Sequence, residues 1–205
     1  MNEVKLSFKS KKLGVIPSLN LPPMLTCAKG VPCAKLCYAR KGTFTYNNVI
    51  KSHMENYVAY HNDSKAFFDS IHAKLNNGVV THKFFRWHMS GDIIDMQYLY
   101  GMIELANKNK QTKFLAFTKK HDLVNMYLQV SGKKLPKNLN IVFSAWDVNY
   151  KFENPFNLPI AYVDFKDKSL NPEIPHNAKH CSGDCVNCRL CWTLKNGECT
   201  KFVQH

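Results

Sequence analysis

The chain has 205 residues, 45% of them apolar, and carries 28 Lys and Arg against 15 Asp and Glu. That size suits one domain with a small appendage, and the apolar fraction is enough for a sizeable core. No run approaches the ~18 apolar residues of a membrane span. The polar start, with Lys5, Lys9, Lys11 and Lys12, is not a signal peptide. A reducing cytoplasm is therefore expected, where clustered cysteines mean metal or redox chemistry. The positive balance favours an anionic partner such as nucleic acid or a phosphorylated substrate. Solvated surface is the alternative reading of the same charge.

Residues 1–23 read as a short strand or arm and a turn, broken by Pro17, Pro22 and Pro23. A loop follows around Gly30 and Pro32. Helices are predicted from Val49 to Tyr60, and from an Asp63 or Ser64 cap through Leu75. The next predicted elements are a strand His82–Met89, a helix Met96–Ala106 and a strand Thr112–Thr118. A short helix Asp122–Gln129 and strands Asn140–Ala145 and Leu158–Asp164 complete the series. Strand, polar turn, helix, strand is the rhythm of an α/β fold with a mainly parallel sheet. The chain is too short for an eight-unit barrel of ~250 residues. A partial (β/α) barrel of five or six strands is expected over residues 1–175. A cysteine-rich extension, held by its metal more than by a core, is expected over 176–205.

Eight cysteines gather at the two ends of the chain. Cys185, Cys188 and Cys191 form C-x2-C-x2-C, the local spacing that holds three corners of a cluster in bacterial ferredoxins. Cys181, by proximity, is the fourth ligand, and zinc or a disulfide knot are the alternatives. Cys27, Cys33 and Cys37 form C-x5-C-x3-C in one loop, where three thiolates can converge. A trio leaves one position open: either Cys199 closes it, or an iron stays free for substrate. Three buried structural cysteines would be the plain alternative. The two ends of the chain are expected to meet in space.

In parallel α/β folds ligands sit at the carboxyl ends of strands. The polar residues there are Arg86, His88, Ser90 and Asp92, then Lys119, Lys120 and His121, then Trp146 and Asp147, then Asp164 and Lys166. Alternation puts Arg86 and His88 on one face. Arg86 would neutralise a cluster or hold a carboxylate, and His88 would move protons. Asp92 and Lys119 complete the candidate catalytic set, with Ser90 and Gly91 as candidate cofactor-binding residues. The alternative for Ser90-Gly91-Asp92 is a turn and helix N-cap.

Four islands stand out: Cys37-Tyr38-Ala39, the run Arg86-Trp87-His88-Met89-Ser90-Gly91-Asp92, Phe117-Thr118-Lys119, and Cys188-Arg189-Leu190-Cys191-Trp192. Together they resemble the phage gene product 88 family. The resemblance implies a phage origin and a working life in the host cytoplasm. The first loop and the α/β rhythm are also similar to radical SAM proteins, which hold a 4Fe–4S cluster by three cysteines and leave one iron for S-adenosylmethionine. Their usual spacing is C-x3-C-x2-C, and no glycine-rich methionine-binding motif follows the cysteines here.

The expected protein thus carries one or two 4Fe–4S clusters and is an enzyme of radical-SAM-like or sulfur-transfer type. Its substrate would be a small, sulfur-containing molecule, or RNA. The second class is a metal-stapled module that docks on nucleic acid or a host protein without turnover. No membrane partner is expected.

Overall fold

A computed structural model describes residues 3–204, so the expected arm is seen from its third residue onward. An eight-stranded sheet organises the chain: β1 (Leu6–Ser7), β2 (Ser18–Leu19), β3 (Phe84–Trp87), β4 (Lys113–Thr118), β5 (Leu139–Ser144), β6 (Ile160–Asp164), β7 (Lys179–His180) and β8 (Cys199–Val203). The spatial order is β1-β2-β3-β4-β5-β6-β8-β7, antiparallel between β1 and β2 and parallel elsewhere. The sheet is open. The α/β class and the parallel sheet stand as expected, with more strands than the five or six anticipated. β2, β7 and β8 are short or polar, and alternation alone does not mark them.

The helices are α1 (Asn47–Asn62), α2 (Ser64–Asn76), α3 (Met96–Lys108), α4 (His121–Ser131) and the single turn α5 (Cys185–Cys188). Asp63 caps α2 by accepting from the Ala66 amide. Asp95 caps α3 through the Tyr98 amide and also accepts from the Tyr60 hydroxyl at 2.6 Å, which locks α1 to α3.

Strand alternation divides the molecule into two apolar layers. Phe85, Trp87, Phe114, Ala116, Ile141 and Phe143 pack against helices α1 to α4 on one face. Leu115, Val142 and Ala161 face the other way, against Leu13, Ile16, Trp192 and Leu194. The four long helices share one face, and the cysteine-rich tail covers part of the other.

The cysteine-rich tail is also joined to the sheet. β8 pairs with β6 over five residues, and β7 pairs with β8. Trp192 is buried and donates from Nε1 to the Phe85 carbonyl at 3.0 Å. Asn140 on β5 donates to the carbonyls of Cys191 and Leu194. The Cys185 amide donates to the Lys12 carbonyl. Gly14 lies at φ +52, and a Cβ there would fall 2.5 Å from Val186, so the N-terminal segment closes on α5 only because it has a glycine. No helix among the described residues is long and apolar enough to cross a membrane.

Candidate metal and ligand site

A cavity of about 390 Å³ opens at the carboxyl ends of the parallel strands. Cys27, Cys33 and Cys37 line it from the loop after β2, and Cys181, Cys185 and Cys191 line it from the tail. The two ends of the chain therefore meet, as their cysteine content led one to expect. Arg86, His88, Ser90, Gly91, Asp92 and Lys119 contribute to the same wall. Cys188 is exposed and borders only a smaller space of about 20 Å³, which it shares with Cys181, Cys185 and Cys191. Cys199 is buried on β8, in register with Ile160 and outside both cavities.

The tail geometry follows from its sequence. Asp184 caps α5 by accepting from the Asn187 amide, so Cys185 and Cys188 sit on one helical turn. Arg189 then takes a left-handed φ of 52°, and the 3-10 turn Leu190–Trp192 brings Cys191 back. The first cysteine loop is a series of 3-10 turns, Pro32–Leu36, Tyr38–Arg40 and Gly42–Thr45.

The turn 89–92 is the seat of that loop. Ser90 donates from Oγ to the Leu21 carbonyl at 3.0 Å. Thr26 Oγ1, next to Cys27, accepts from the Asp92 amide at 3.1 Å. At the far end, next to Cys37, the Tyr38 hydroxyl donates to the Met89 carbonyl. Gly91 has φ +82, and a Cβ there would stand 2.6 Å from Thr26 Oγ1 and 2.7 Å from Leu21 Cβ. Ser90 and Gly91, the candidate cofactor-binding residues, thus position the cysteine loop and also line the cavity.

Asp92 is 5% exposed, and its carboxylate accepts from the Ile93 amide, the Thr118 hydroxyl and the Lys119 amide at 2.7–2.9 Å. Burial raises its pKa and those three bonds oppose the rise. It braces the end of β4 against the turn.

His88 departs from the expected alternation. β3 ends at Trp87, and His88 takes a left-handed φ of 53°. Its ring lies 5.5 Å from that of Tyr98, whose hydroxyl is 3.0 Å from Nε2, within the helical layer. Burial holds it neutral, with its pKa down to about 3. Arg86, by contrast, projects from the opposite face and lies over the Phe117 ring at 4.3 Å. The pair does not share a face because the strand does not continue through residue 88.

The thiols carry an electrostatic signature. Burial pushes Cys27 up to about 11, with the charges of Asp92, Cys33 and Cys37 adding to it. Cys191 rises to about 12 through burial, opposed by Arg86 and reinforced by Cys181, Cys185 and Cys188. Burial thus keeps these thiols protonated unless a cation binds them. All eight cysteines are free. Among the described residues no three His, Cys, Asp or Glu side chains converge on one ion position. An all-thiol donor set suits zinc and iron–sulfur clusters alike.

The gene product 88 family profile matches residues 2–194. The chain belongs to the phage gene product 88 family. The matched stretch contains all seven candidate ligand cysteines and ends before Cys199. It also contains Lys12, Thr26, Tyr38 and Asn140, which sequence reasoning passed over as site-building residues. Asn140 had a signal of its own: it is a polar residue within the apolar strand Leu139–Ser144. No curated protein and no solved structure matches this member of the family.

Proposed function

We propose that the protein is an iron–sulfur protein, and an enzyme, whose loop trio Cys27, Cys33 and Cys37 and tail set Cys181, Cys185, Cys188 and Cys191 each hold a 4Fe–4S cluster. The observation that carries this reading is that six of these seven cysteines, from opposite ends of the chain, line one cavity at the strand ends. A bound cluster supplies electron transfer there and, at an iron without a fourth protein thiolate, a Lewis-acidic position.

The chain's own residues do the rest. Thr26, Tyr38 and Gly91 hold the loop, Asp92 braces its seat, and Trp192 seals the tail against the sheet. Arg86 and Lys119 place positive charge where substrate enters. With all four long helices on one face, the sheet is best read as a partial (β/α) barrel whose mouth is the cavity. Sulfur transfer and radical-SAM-like chemistry are the reaction classes that this arrangement suits. A reducing compartment, the cytoplasm of the infected cell, keeps the thiols available.

Iron, zinc and acid-labile sulfide analysis of protein purified without oxygen tests the reading. About eight irons and eight sulfides per chain are expected for two clusters. Cys33→Ala and Cys188→Ala should each lose about half of the iron. Colourless protein holding only zinc would overturn the proposal. S-adenosylmethionine and small thiols are the compounds to titrate against the visible spectrum.

A further inference from the structure

Apart from its six thiols, the cavity wall carries more positive than negative side chains. Lys12, Arg86 and Lys119 line it, against one carboxylate, Asp92, whose acceptor bonds go to Ile93, Thr118 and Lys119. None of the three cations enters an ion pair among the described residues. Each instead lies over an aromatic ring: Lys12 over Phe202 at 5.2 Å, Arg86 over Phe117 at 4.3 Å, Lys119 over Trp146 at 5.4 Å. Arg86 donates one hydrogen bond, from Nε to the Trp87 carbonyl. Its terminal nitrogens have no protein acceptor among the described residues, so the flat end of the guanidinium fork is unspent. Leu115, Ala161 and Val163 line the cavity beside the rings. An apolar slot with one unspent guanidinium suits a flat organic body bearing an oxyanion, because the fork matches carboxylate and phosphate with paired N–H donors.

We infer that the cavity binds a small organic anion, a carboxylate or phosphate monoester on a flat apolar body, gripped by Arg86 with its body among Phe117, Leu115 and Val163. The inference deepens the proposed function and rests on it only in taking this cavity as the working site. It names the substrate class as anionic, where the charge of the chain as a whole left nucleic acid and small phosphates equally open.

The test uses the full chain as purified without oxygen. Phenylacetate, phenyl phosphate, neutral phenylacetamide and inorganic phosphate are titrated by saturation-transfer NMR and calorimetry. Phenylacetate or phenyl phosphate should bind in the millimolar range or tighter, and the stronger of the two identifies the oxyanion. Phenylacetamide and inorganic phosphate should bind at least tenfold more weakly. Arg86→Gln should lose about tenfold or more in affinity, and Arg86→Lys should lose part of it, because the point charge remains without the fork. Both variants should melt within a few degrees of the parent, which shows that the loss is not unfolding. Equal binding of the anions and the amide, or equal affinity in parent and Arg86→Gln, would overturn the inference. So would loss of iron from Arg86→Gln with no anion binding to the parent, since Arg86 would then serve the cluster. Iron analysis of the same samples separates the two claims. Iron-free protein that binds the anions sinks the cluster reading alone, and iron-loaded protein that ignores them sinks this one alone.

Discussion

Single residues decide whether the cysteine loop has a seat. Gly91 is the sharpest case, because the loop threonine Thr26 and the backbone of Leu21 occupy the space that any side chain would need. Gly91→Ala should combine a left-handed penalty with overpacking, a loss of about 2–4 kcal/mol in urea unfolding. It should release the loop-trio iron before the tail iron, since only the loop rests on that turn. The run from Arg86 to Asp92 stood out in the sequence as a candidate catalytic string. The structure divides its roles, although Arg86, His88, Ser90, Gly91 and Asp92 all border the cavity: Arg86 lies over Phe117, the His88 ring packs on Tyr98 in the helical layer, and Ser90, Gly91 and Asp92 hold the loop in place. Alternation could not show this, because the change of face at His88 is a backbone event.

At the scale of elements, the tail is secured by the pairing of β8 with β6 and from three further directions. β5 reaches it through Asn140, β3 through the Phe85 carbonyl, and the N-terminal segment through the Lys12 carbonyl. Asn140→Ala removes the donor for two carbonyls, Cys191 and Leu194. A loss of about 1–3 kcal/mol is expected from the groups left unpaired. Thermal melts should show it, together with faster loss of tail iron to a chelator. An unchanged melting temperature and chelation rate would show that these two bonds do not secure the tail. The helices α2 to α4 and the central strands β3 to β6 were legible from periodicity, since they carry the apolar pattern that their burial requires. α1 formed where expected, but its buried face is His53, Asn56, Ala59 and Tyr60, and Ile50, Met54 and Val58 are exposed. β8 was not legible. Its residues Cys199, Thr200, Lys201 and Phe202 pair with β6 through the backbone, and the side chains give little sign of it.

Across the whole molecule, folding buries three histidines from separate elements. His53 on α1, His88 after β3 and His121 on α4 are each 3% exposed, and burial is the first cause of the lowered pKa of each, to about 4, 3 and 4. His121 packs on the Phe152 ring with centroids 4.0 Å apart, and its Nε2 has no hydrogen-bond partner among the described residues. The groups facing it include Lys119, Asp122 and Tyr150. As pH falls below about 6.5, the unfolded chain binds protons at these rings while the folded chain does not. Each histidine then costs up to about 1.4 kcal/mol of stability per pH unit until its folded pKa is reached. The melting temperature should hold from pH 8 to 7 and fall steadily from 6.5 to 4.5. A flat profile through pH 5 would show that the rings are not held neutral.

The sequence by itself determined the α/β class, the parallel sheet, the long elements and the two groups of cysteines. These rest on periodicity and on unusual residue density, both of which are local. Only the tertiary structure decided that the two cysteine groups share one cavity, that the tail adds two strands to the sheet, and that Arg86 has no ionic partner among the described residues while the His88 ring packs on Tyr98. Those facts depend on β8 reaching β6 and on Gly91 admitting Thr26. They are contacts between residues far apart in the chain, and no pattern along it encodes them.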